Sequence, residues 1–77
     1  MDENEDVSKM SSVFQRRLQA LRKKEHLSRK VLGELCGLSK NTIGLYECGK
    51  RRPTARSLEA LADHFGVTVD YLLGRQK

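Results

Sequence analysis

Between Leu27 and Pro53, only Gly37 and Leu38 separate one helix pattern from the capping serine of the next, and this short break restricts the fold more than any other feature. Ser28 can cap a helix that starts at Arg29 and puts Val31, Leu32 and Leu35 on one apolar face. Gly37 ends it, because glycine enters the left-handed region without a Cβ clash. Ser39 caps a second helix from Lys40, and Gly49 stops it ahead of Lys50-Arg51-Arg52-Pro53. So short a turn makes two helices cross steeply, and leaves the second as an exposed rod of the width a DNA major groove admits.

The remaining patterns supply a core and are helical as well. Phe14, Leu18 and Leu21 recur at i, i+4 and i+7 and predict a first helix over roughly Val13 to Lys24. Thr54 caps a fourth pattern whose inner stripe is Leu58, Leu61, Ala62 and Phe65, and Gly66 stops it. Thr68 caps a short last helix, Val69 to Leu73, with Tyr71 and Leu72 folding back on the bundle. No stretch alternates with period two, so the expected class is all-α.

At 77 residues this is one domain, too small for a large substrate cavity. It divides into an acidic, disordered arm over residues 1–12, a folded domain over 13–74 and a short tail over 75–77. No apolar run is long enough to span a bilayer, and the N-terminus is acidic where a secretory signal is basic, which predicts a cytoplasmic protein. Cys36 and Cys48 lack paired spacing, which suits reduced thiols better than a disulfide or a zinc site with His26 and His64. No cofactor or small-molecule ligand is indicated. Nor is an enzyme, since there is no Ser-His-Asp order and no glycine-rich phosphate loop.

Charge becomes informative when split along the chain. Met1 to Ser12 carries a net charge of −3, and the rest carries 14 basic against 6 acidic residues, a net of +8. A domain this basic is expected to bind a polyanion with affinity that falls as salt rises. The acidic arm then reads either as a solvated tail or as a competitor with DNA for the basic face.

Leu27-Ser28, Gly37-Leu38-Ser39, Thr42-Ile43, Tyr46-Glu47-x-Gly49-Lys50-Arg51, Pro53 and Phe65-Gly66-Val67-Thr68-x-Asp70-Tyr71-Leu72-Leu73 together resemble the Cro and lambdoid phage repressor family, also called the xenobiotic-response-element type. The likeness runs from about Phe14 through Leu73. It implies a compact five-helix bundle, the lambda repressor-like DNA-binding domain with a helix-turn-helix, usually acting as a dimeric regulator. It also implies that Glu47 pairs with Arg22 of the first helix. Gly33 stands where the family prefers alanine, and both residues are small enough for close packing.

Within the recognition helix, 100° per residue puts Lys40, Asn41, Gly44, Leu45 and Cys48 on one side and Ile43, Tyr46 and Glu47 toward the other. Helices of this kind read bases with their N-terminal residues, so Lys40 and Asn41 are the best-placed readers. Asn41 can bond adenine N6 and N7 together, while Lys40 can reach guanine or a phosphate. Gly44 permits close approach to DNA and Leu45 can meet a thymine methyl, although the family more often has polar side chains here. Arg29 stands where the family commonly has a phosphate-binding glutamine, and Ser39, Lys50, Arg51 and Arg52 are further phosphate candidates. For Thr42, a phosphate contact and a half-buried packing role stand equal.

The expected function is a sequence-specific regulator of transcription on double-stranded DNA, most simply a repressor. It would act as a homodimer, paired either through the last two helices, with Val67, Val69 and Tyr71 as contacts, or only on DNA. Only Arg75, Gln76 and Lys77 follow Gly74, which leaves no separate pairing domain in this stretch, and a longer protein of which this is one piece is an open alternative. The rival function is an antitoxin or antirepressor-type module whose main partner is a protein.

Overall fold

The computed structural model describes the backbone of residues 2–75 and the side chains of residues 13–75. Five helices follow in order: α1 (Asp2–Lys24), α2 (Arg29–Cys36), α3 (Lys40–Glu47), α4 (Ala55–Phe65) and α5 (Val69–Leu73). Among the described residues there is no strand.

Each of the four later helices starts on a hydroxyl. Ser28, Ser39, Thr54 and Thr68 accept hydrogen bonds from the amides of Val31, Thr42, Ser57 and Tyr71 at 3.1, 3.0, 3.1 and 2.9 Å. These bonds satisfy amides that the first helical turn would otherwise leave without acceptors. At the other end of α2, Gly37 takes φ 73°, and the Leu38 amide turns back onto the Gly33 carbonyl at 2.7 Å. The chain is thereby set directly at Ser39.

Three features depart from the sequence reading. The first is the start of α1, which the structure carries back to Asp2 instead of Val13. Residues 2–12 contain no glycine or proline, so nothing local stops the helix. Met1, the side chains through Ser12, and Gln76 and Lys77 of the expected tail lie outside the described residues.

The second concerns α2, whose inner face is Leu32 and Gly33, with Cys36 half-buried, while Val31 and Leu35 are 40% and 56% exposed. The apolar arc is wider than the contact surface that α3 and α4 offer it. The third is Gly33. A Cβ there would run into the Leu38 carbonyl oxygen and lie 3.1 Å from the Ser39 carbonyl carbon, so alanine does not fit unless the turn backbone moves.

Phe14 and Leu18 of α1, Leu32 of α2, Ile43 and Tyr46 of α3, Leu58, Leu61 and Ala62 of α4, and Leu72 of α5 form one core. Phe14 meets the Tyr46 ring edge-on at a centroid distance of 5.6 Å. Tyr46 donates its buried hydroxyl to Ser57 Oγ at 3.0 Å, and Thr54 Oγ1 donates to the same oxygen at 3.0 Å. The back of α3 is thus bonded to the first turn of α4.

Candidate nucleic-acid interface

With Ile43, Tyr46 and Glu47 buried, the opposite side of α3 faces out. Lys40 and Asn41 are exposed at its N-terminal end, and Gly44 and Leu45 are half-exposed one turn later. These four line a single open concave surface with Arg29, Cys48 and Lys50. Most of the candidates identified from the sequence therefore share one face, and Cys48 lies there too, on the side where the angular step puts it.

The others lie elsewhere. Arg51 and Arg52 are exposed but line a separate recess of about 240 Å³, floored by Phe14, Pro53, Leu58 and Leu73 and flanked by Arg75. Ser39 and Thr42 pair with each other, their hydroxyl oxygens 2.9 Å apart at the cap of α3.

The tilt of α3 is held by an ionic cluster around Glu47, whose side chain is only 1% exposed. Arg22 grips it with both ends of its fork, Nε to Oε2 at 2.6 Å and the terminal nitrogen to Oε1 at 3.0 Å, and donates its remaining nitrogen to the Leu27 carbonyl at 2.9 Å. The bond to Glu47 raises the Arg22 pKa, with burial acting in the opposite sense. Gln15 adds a hydrogen bond from its side-chain amide to the Glu47 carbonyl at 3.0 Å. Beside this bond, Gly49 takes φ 75°, and a Cβ there would lie 2.8 Å from the Gln15 amide group. Helices α1 and α3 are thus joined by charge and by backbone bonding at the same place.

Sequence reasoning missed one partner in this cluster. Arg29, at the start of α2, donates from Nε to Glu47 Oε1 at 3.0 Å. No local signal announces this pair, since the two residues stand 18 positions apart.

Two of the four groups considered for metal binding, His64 and Cys36, are engaged in other ways. His64 Nε2 lies 3.0 Å from Glu25, and the Cys36 thiol donates to the Ala60 carbonyl at 3.9 Å. Burial, then the nearby Glu25 charge, raises the Cys36 pKa. Among the described residues, no group of three or more His, Cys, Asp or Glu side chains is placed to hold a metal ion, and no helix is long and apolar enough to cross a membrane.

Residues 18–72 match the family profile described as helix-turn-helix. The chain belongs to the helix-turn-helix family. Its relatives include the HTH-type transcriptional regulator AnsR of Bacillus subtilis (strain 168), 48% identical over 61 residues, which cover 79% of this chain and 53% of AnsR. Another is the HTH-type transcriptional activator BcrR of Enterococcus faecalis, 34% identical over 64 residues, which cover 83% of this chain and 31% of BcrR. This helix-turn-helix chain therefore spans about half or less of those relatives. Its fold also matches the crystal structure of the P22 c2 repressor protein in complex with synthetic operator 9T in the presence of Tl+. The TM-score is 0.77 at 30% identity, covering 82% of this chain and 96% of that one. The helix-turn-helix here is thus of the Cro and phage repressor type.

Proposed function

We propose that this chain is a sequence-specific, double-stranded-DNA-binding regulator of transcription that acts as a repressor by occluding a promoter. The observation that carries this reading is the outward face of α3, where exposed Lys40 and Asn41 lead a cationic surface in a fold similar to an operator-bound repressor. Lys40, Asn41, Gly44 and Leu45 read bases. Lys50, Arg51, Arg52 and the Ser39–Thr42 cap meet phosphates. The protein is cytoplasmic, is not an enzyme, and binds as a symmetric dimer to half-sites about 34–36 Å apart. Pairing takes place on DNA, since Val67 and Val69 are partly spent on the core and Tyr71 has the Arg17 guanidinium 4.3 Å over its ring.

A gel-shift series at fixed salt, comparing the promoter of the chain's own operon with random duplex, tests the reading. Equal binding to both would reject it in favour of a protein-binding module. That second reading has one observation on its side, the exposed Val31 and Leu35 on α2.

Two variants resolve the roles on α3. Asn41→Ala is expected to cost about 1–3 kcal/mol of binding and to relax preference at one base pair, which competition among singly substituted duplexes measures. Gly44→Ala is expected to separate stability from binding. The nearest atom to the new methyl is Arg29 Cδ at 4.0 Å, so the fold accepts it and gains up to about 1 kcal/mol of helix propensity. The same methyl stands between helix and groove, so affinity falls while the melting temperature rises.

A further inference from the structure

Glu47 is shared unequally between two arginines. Arg22, 11% exposed, spends its whole fork on the carboxylate and on the Leu27 carbonyl, whereas Arg29, 47% exposed, bonds among the described residues through Nε alone. A guanidinium held through Nε keeps a second edge, formed by its two terminal nitrogens, whose parallel N–H donors match two adjacent acceptors. Arg29 also sits over the bare backbone of α3 at Gly44, with Cδ 4.0 Å from where a Cβ would lie, and lines the same surface as Lys40 and Asn41.

We infer that Arg29 is a specificity-determining base reader, aimed by Glu47 so that its outer edge forks onto O6 and N7 of a guanine in the major groove. The inference rests on the DNA-binding reading above. The pattern favours a base over a phosphate for two reasons. Glu47 offsets part of the charge that a phosphate would attract, while leaving the directional fork intact. Its grip also limits the rotamers of a long side chain before binding, which lowers the entropic cost of a geometrically demanding contact. Lysine is a poorer substitute, since its one nitrogen has no second edge to present a parallel fork while it holds Glu47.

The test selects bound duplexes from a random pool with the wild-type chain and with Arg29→Lys, whose fold is checked by circular dichroism. The wild type is expected to enrich a guanine at one fixed position of each half-site. Arg29→Lys is expected to lose that preference alone and to bind the selected site about 5- to 150-fold more weakly. Replacing that guanine with 7-deazaguanine, which lacks the N7 acceptor, should weaken wild-type and Lys40→Ala binding but not weaken Arg29→Lys further. If Arg29→Lys selects the same site, or loses affinity for all duplexes by one common factor, Arg29 anchors a phosphate and the inference falls while the DNA reading stands. Wild-type indifference to 7-deazaguanine at every enriched guanine also overturns it, even if the lysine variant does not fold. A wild-type pool with no enriched sequence removes the DNA reading itself.

Discussion

Replacing Glu47 with alanine is expected to cost about 3–5 kcal/mol of folding stability, because a buried charge pair broken from one side leaves the other side uncompensated. Arg22 would keep only the Leu27 carbonyl in a site that is 11% exposed, and of the polar links between α1 and α3 described above only the Gln15 bond would remain beside the Phe14–Tyr46 packing. Total stability of domains is typically about 5–15 kcal/mol, so the variant should be near its unfolding threshold at 37 °C. In a domain of this size the loss corresponds to a fall in Tm of roughly 12–40 °C. Urea titration should show a lower midpoint with an unchanged slope, the signature of lost stability without an altered unfolded state. Glu47→Gln, which keeps the volume and an acceptor oxygen, should lose less. An alanine variant within about 1 kcal/mol of wild type would mean that the cluster orients α3 without stabilising it.

Binding to the specific duplex is expected to weaken about 10³-fold when monovalent salt is raised from about 50 to about 200 mM. In the proposed dimer, Lys50, Arg51 and Arg52 of both copies would put six cations against phosphates, and each would release about 0.9 counterion from B-DNA, for a log–log slope of about −5. Arg29 is left out of this number because the inference above puts its fork on a base instead of a phosphate. Fluorescence anisotropy across a salt series measures the slope directly. A slope near zero would mean that the exposed cations of the loop do not meet the backbone.

What could be read from the sequence divides along a physical line. The bounds of α2 to α5 follow from Ser28, Ser39, Thr54 and Thr68 and from the glycines that close three of those helices, because capping is decided within a few residues of chain. The outward set on α3 was legible for a similar reason, since a fixed angular step sorts Lys40 and Asn41 from Ile43 and Tyr46. Features decided by non-local packing were not legible. Val31 has the pattern of a core residue, but the neighbours of α2 cover Leu32, Gly33 and part of Cys36 and leave it exposed. Gly33 passed as interchangeable with alanine because only coordinates reveal how closely the Leu38 carbonyl approaches. Arg29 and Glu47 are 18 positions apart, and no local rule joins them. The start of α1 was missed for the converse reason, because the residues before Val13 carry neither a breaker nor an apolar stripe to mark where packing begins.

The buried hydroxyl chain from Tyr46 through Ser57 to Thr54 bears on the segment it encloses. Residues 48–53 are pinned at one end to α3 and at the other to the first turn of α4. The three consecutive cations within them are therefore carried on a short bridge fastened at both abutments, not on a tether. Any polyanion that engages them meets a backbone already fastened in place, so little chain entropy remains to be lost on contact.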